Sequence, residues 1–353
     1  MPYKNFSFYN KQDILSLTRL RRFETKLGER LQCVSNKLNP EESLQDEKIK
    51  YVVFGIPEDV GVKGNLGIGG ADSAWLPFLN AFLNIQSNDF LEGDNILLLG
   101  HFNFGELAEL IDNNAATADE KIEAYRHAVS FIDEQVEALV KMITQYKKIP
   151  VIIGGGHNNA YPALKGAAKG LYKAELLQLA QLNCINLDTH ADYRAAEGRH
   201  SGNAFRYADE DGFLNKYFVL GIHENYLQQN VWTDMVNNPF IDCITYEDIF
   251  IHEKRNFRQA FTDAVNFTSE TYCGIEIDMD AIQNVLASAA TPCGIEALQA
   301  RQFVNYVATN SDVAYLHICE GASRLNDGRQ DAGIGKMLSY LVSDFIKSHS
   351  TLK

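Results

Sequence analysis

From residue 51 to the C-terminus, short apolar runs alternate with longer stretches in which apolar residues recur at helical spacing. Runs of this kind read as strands and the periodic stretches as helices. Strands are predicted at 51–56, 95–99, 151–154, 183–188, 217–221, 272–280 and 312–319, and helices at 72–83, 119–146, 160–170, 254–268, 296–309 and 335–348. Residues 1–48 are polar and charged, with a weak helical pattern over 11–31. They read as an N-terminal extension packed on a single α/β domain of residues 49–353. Strands separated by helical stretches imply parallel pairing through crossover helices. The expected fold is a three-layer α/β/α sandwich around a central, mostly parallel sheet.

Composition narrows the function. The chain has 353 residues, 46% of them hydrophobic, which is ample for a large core. A formal charge of −14 argues against a nucleic-acid or anionic-membrane partner. No window of eighteen apolar residues occurs, so no membrane span is expected. Met1 to Asn5 carry no apolar h-region and do not read as a signal peptide. Six cysteines, at 33, 184, 243, 273, 293 and 319, show no CxxC spacing. Cys184, Cys273 and Cys319 lie inside predicted strands and read as reduced, buried hydrophobes, so a reducing, cytoplasmic compartment is expected.

Chemistry concentrates in three segments, each following an apolar run. They are Gly154-Gly155-Gly156-His157-Asn158, Asp188-Thr189-His190-Ala191-Asp192 and Glu276-Ile277-Asp278-Met279-Asp280. Side chains alternate along a strand, so Asp188, His190 and Asp192 can face one way, and so can Asp278 and Asp280. Ligands gather at the carboxyl ends of parallel strands, where all three segments fall. Four aspartates converging with neutral histidines sum to −4, a charge too costly to bury alone and one that two divalent cations cancel. Oxygen and imidazole donors without thiolate favour Mn²⁺, and Ni²⁺ or Fe²⁺ suits the same set. Two ions about 3.5–4 Å apart can acidify a shared water, which then attacks a trigonal carbon.

These segments carry a resemblance. GGGHN, DTHAD and EIDMD look like the arginase, agmatinase and formimidoylglutamase family, the ureohydrolases, from about Gly55 to the C-terminus. The resemblance implies an arginase-like fold, assembly as homo-trimers or hexamers, and two Mn²⁺ per subunit. By motif position His157, Asp188, Asp192 and Asp278 would hold one ion. His190, Asp188, Asp278 and Asp280 would hold the other. Asp192 would also serve proton transfer, and Glu320 would face a cationic amidinium or guanidinium. In the loop after the second motif, Ser201, Gly202 and Asn203 resemble arginase, whereas Phe205 replaces a usual histidine. Phe205, Arg194 and the Gly156 before His157 look more like formimidoylglutamases.

The resulting expectation is hydrolysis of a C–N bond in a small linear amidine or guanidine. Formimidoylglutamate is the narrow choice. Glu320 is expected on the cationic head, Arg194, Ser201 and Asn203 on the carboxylate end, and His200 as a proton shuttle. Arginase, agmatinase or another guanidino-acid hydrolase is the rival, and a catalytically silent scaffold the second rival. Two departures bear on substrate. Glu276 replaces a small residue, to be expected behind the ligands or paired with an arginine, and the segment after Asp280 lacks the family's usual proline-containing loop.

Overall fold

Strands form where aliphatic and β-branched residues run without interruption. The computed structural model describes residues 5–350, so Met1 to Lys4, within the segment read for a leader, lie outside it. Its strands are β1 (Phe6–Phe8), β2 (Tyr51–Gly55), β3 (Ile96–Phe102), β4 (Ile149–Ile153), β5 (Leu182–Leu187), β6 (Leu214–Ile222), β7 (Ile241–Thr245), β8 (Cys273–Asp278) and β9 (Val313–Cys319). They form one sheet in the order β1-β3-β2-β4-β9-β8-β5-β6-β7. All pairings are parallel except that of β1, which lies antiparallel to β3 with Phe6 opposite Phe102. The N-terminal segment thus contributes an edge strand to the sheet of the main domain. Two strands escape the sequence pattern, β1 because it is three residues long and β7 because it sits at the other edge.

Strand alternation divides the core into two layers. Val53, Leu98, Ile153 and Ile275 point to one side, against the helices Trp75–Phe82, Phe257–Phe267, Ala297–Asn310 and Ile334–Ser350. Val52, Leu97, Ile152 and Cys184 point to the other, against Ala118–Gln145 and Ala160–Lys173. Central strands buried on both faces read as continuous apolar runs, as observed. The three-layer α/β/α sandwich expected from the sequence is the fold. Cys184, Cys273 and Cys319 are buried in it, and all six cysteines are free. No described helix is long and apolar enough to cross a membrane.

Strand order decides where chemistry can occur. β4, β9, β8 and β5 are consecutive neighbours. Their carboxyl ends therefore bring the segments after residues 153, 319, 278 and 187 side by side, although up to 166 residues separate them.

Candidate metal centre

His157 follows β4 through Gly154-Gly155-Gly156. Gly155 has φ +83°, and a Cβ there would stand 2.5 Å from the Ile56 carbonyl oxygen, so only glycine fits. A buried carboxylate, Glu58, fixes this turn by accepting from the Gly156 amide (3.1 Å), the Asn158 amide side chain (3.1 Å) and Asn159 (2.5 Å). His157 itself is completely buried, with neither ring nitrogen hydrogen-bonded. Its Nδ1 faces Asp192 Oδ2 at 2.8 Å, Asp188 Oδ2 at 3.2 Å and Asp278 Oδ2 at 3.3 Å.

A second cluster adjoins the first. His190 Nδ1 lies 3.1 Å from Asp280 Oδ2 and 3.5 Å from Asp188 Oδ1. Asp188 divides its two oxygens between the clusters, as a bridging ligand must. Its Oδ1 also accepts from the His190 amide at 2.7 Å. Asp278 stands in the first cluster through Oδ2, and its Oδ1 likewise accepts from the next turn, from the Asp280 amide at 2.8 Å. Support comes from behind, where Asn186 Nδ2 donates to Asp188 Oδ2 (3.0 Å) and Thr189 Oγ1 to Asp280 Oδ1 (2.9 Å).

Electrostatics fit the donor set to divalent cations. Left to its own side chains, the cluster balances charge with protons. Burial, with Asp280 and Asp188 beside it, drives Asp278 well above the usual carboxylate range. Burial opposes a charge on His190, yet Asp280 and Asp188 outweigh it and hold the ring protonated well above the imidazole range. Two further strains mark the site: Asp192 and Glu320 both take positive φ, at 44° and 60°. Strained non-glycine backbone of this kind persists only where the surroundings hold it.

A cavity of about 420 Å³ opens over these ligands. His190, Asp192, Asp278, Asp280, Glu320, Arg194 and Ser201 line it, and Tyr226 stacks on His190 at 5.1 Å between ring centres. Glu320 is buried and accepts from the His157 amide at 2.9 Å; burial, with Asp280 and Asp192 adding, pushes its carboxyl up to about 8. Arg194 donates to Asn65 Oδ1 (2.8 Å) and to Glu197 Oε1 (3.0 Å), and no other described Lys or Arg lines the cavity.

Two expected site residues lie elsewhere. His200 is buried outside the cavity lining, its Nδ1 accepting from the Gly202 amide at 3.1 Å and its Nε2 lying 3.3 Å from Glu197. Asn203 is equally buried; its Oδ1 accepts from Arg199 (3.0 Å) and the His200 amide (3.1 Å), and its Nδ2 donates to the Gly198 carbonyl (2.7 Å). Both side chains pin the 194–203 loop, which places Arg194 and Ser201 at the cavity. Sequence spacing marks the loop, and only the turn geometry shows which side chains face inward.

The model of the arginase family matches residues 50–339, most of the chain and all of the site segments. The chain belongs to the arginase family. Among individual arginase-family relatives, the formimidoylglutamase of Macrococcus caseolyticus is 26% identical over 249 residues, covering 68% of this chain and 74% of its own length. Among solved structures, a Trypanosoma cruzi formiminoglutamase with Mn²⁺ matches with TM-score 0.69 and 17% identity over 94% of this chain and all of the other. A hypothetical agmatinase from Burkholderia thailandensis matches almost as well, with TM-score 0.65 and 16% identity over 87% of each chain. At these identities the structural likeness is one of fold, shared by family members with different names.

Proposed function

We propose that this chain is a two-metal hydrolase that cleaves formimidoylglutamate to glutamate and formamide. The single observation that carries the two-metal part is Asp188, whose oxygens are shared between two histidine–carboxylate clusters. His157, Asp188, Asp192 and Asp278 would hold one ion, and His190, Asp188 and Asp280 the other, with Mn²⁺ the ion the oxygen-rich donors favour. Bound there, divalent cations supply Lewis acidity and a water acidic enough to act as nucleophile near neutral pH.

The chain's own residues do the rest. Glu320 lines the cavity with one oxygen accepting from the His157 amide, and an amidinium N–H entering there would find its carboxyl as acceptor. The incoming positive charge favours the ionised form of this buried carboxyl. Asp192, at the cavity wall, takes the proton released as water adds to the imine carbon. It returns that proton to the departing nitrogen as the C–N bond breaks, so that glutamate leaves as an amine and the carbon as formamide. Arg194, the one described Lys or Arg lining the cavity, meets a substrate carboxylate, with Ser201 beside it.

Arg194 also separates the candidates. Agmatine carries a second cation at its far end, which Arg194 repels, whereas formimidoylglutamate and arginine carry carboxylates there. Similarity to the Macrococcus formimidoylglutamase supports the first of these two. A cytoplasmic homo-oligomer, trimeric or hexameric, belongs to the same reading on family resemblance, and sedimentation of the purified protein tests it.

The test is turnover by the Mn²⁺-loaded protein on formimidoylglutamate, arginine, agmatine, guanidinobutyrate and guanidine in parallel. Formamide and glutamate from the first alone are expected. Urea from any guanidino compound overturns the substrate and keeps the chemistry. Silence on all five, repeated with Ni²⁺, overturns the enzyme reading in favour of a silent scaffold.

A further inference from the structure

On the far side of His157 from the four aspartates lies a buried trio that the proposed reaction does not use. Glu276, Tyr315 and His317 have essentially no solvent exposure. Glu276 precedes Asp278 by two residues and so shares its face of β8, and in the register of β8 and β9 it stands opposite His317. The Tyr315 hydroxyl donates to Glu276 Oε1 at 2.7 Å, and His317 Nδ1 lies 2.7 Å from Oε2. Gly274 makes this possible: a Cβ there would meet the Tyr315 ring at 2.6 Å.

A carboxylate taken from water costs several kcal/mol even when paired, so its placement calls for a reason. The third direction open to Glu276 leads to His157: Oε2 is 3.6 Å from His157 Nε2, a nitrogen with no hydrogen-bond partner within ordinary distance, and Cys319 completes the same buried cluster. When Nδ1 gives its lone pair to a cation, the ring proton sits on Nε2, and Glu276 is the acceptor that faces it. A carboxylate behind a ligating imidazole fixes its tautomer and orientation and strengthens it as a donor.

We propose that Glu276 is a positioning residue that holds His157 through Nε2 and thereby sets how tightly the His157–Asp188–Asp192–Asp278 cluster keeps its cation. Tyr315 and His317 clamp the carboxylate so that it cannot turn away. The inference rests on the two-ion reading above and concerns retention of one of the two ions, whatever the substrate.

The test is a Mn²⁺ titration of the metal-free full-length protein, following free Mn²⁺ by electron paramagnetic resonance. Wild type, E276Q, H157N and the double variant form a cycle. Wild type should take up two ions per chain. E276Q should keep one at wild-type affinity and bind the other roughly 10–100-fold more weakly. In the H157N background, E276Q should change nothing beyond about twofold, because its effect passes through His157. A purely structural Glu276 would instead weaken both ions, and would do so with or without His157. Y315F, a milder change, should shift the same ion in the same direction, and it carries the cycle if E276Q fails to fold. Unchanged affinities in E276Q, or an equal loss in the H157N background, overturn the inference alone. Fewer than two ions in wild type removes the two-ion reading and this inference with it.

Discussion

Asp188 reaches two histidines with different oxygens: Oδ2 lies 3.2 Å from His157 Nδ1 and Oδ1 3.5 Å from His190 Nδ1. It follows directly on β5, with its amide donating to the Leu220 carbonyl at 3.1 Å, and Asn186 Nδ2 and the His190 amide orient its carboxylate from behind. Removing one oxygen's charge therefore disturbs both clusters. Asp188→Asn is expected to lower Mn²⁺ content toward zero per chain, whereas His190→Asn should leave one ion bound. Elemental analysis after gel filtration reads this directly. A D188N protein that retains two ions would show that the two clusters do not share this ligand.

Glu320 combines burial, a positive φ and a hydrogen bond from the His157 amide. Glu320→Gln keeps the shape and an acceptor for that amide while removing the charge offered to an amidinium. A charge-assisted hydrogen bond is worth about 1.5–3 kcal/mol, so kcat/KM should fall roughly 10–100-fold. Ion content should stay near wild type. An E320Q enzyme of full activity would remove Glu320 from the reacting end of the cavity.

Arg194 already has partners in Asn65 and Glu197, and its side chain is 39% exposed. Solvent screening lowers what an exposed ion pair contributes. Arg194→Ala should therefore raise KM for formimidoylglutamate by roughly tenfold with kcat nearly unchanged, since the contact is remote from the reacting carbon. A short amidine without carboxylates should show no such rise. If both substrates respond alike, Arg194 shapes the loop instead of binding the carboxylate.

How far the chain could be read before folding depends on which contacts are local. All seven strands expected from the apolar runs are present, because each run is buried on both faces and so carries its own signal. The candidate ligands were legible as motifs at strand ends, but the expected strand parity does not place them. Of the six only Asp278 lies in a strand; Asp188, His190 and Asp192 follow the end of β5, with Asp192 at φ 44°, and Asp280 sits in the turn Met279–Ala281. Non-local geometry was not legible. Glu276 meets His317 only through the pairing of β8 with β9, 41 residues apart. Asp278 spends one oxygen on the next turn's amide, a detail of the turn at Met279–Ala281. Within the 194–203 loop, residue type alone could not distinguish Ser201, which lines the cavity, from His200 and Asn203, which turn inward to hold the loop.

His200 offers the sharpest check on that loop. Burial, with Arg194 and Arg126 nearby, lowers its pKa from 6.5 to about 4. The folded state thus favours the neutral ring, whose Nδ1 accepts from the Gly202 amide. The stability it contributes is complete above pH 6.5 and is lost as pH falls toward 4, because unfolding then lets the ring take up a proton. The unfolding free energy of wild type, from urea titrations, should fall between pH 7 and 4.5 more steeply than that of His200→Gln, by on the order of 1–3 kcal/mol. Gln can accept the same amide without titrating. Because His200 does not line the cavity, H200Q should keep kcat within a few-fold of wild type at pH 7.5. A proton shuttle would instead lose on the order of 10²–10⁴-fold, which would return His200 to the reaction.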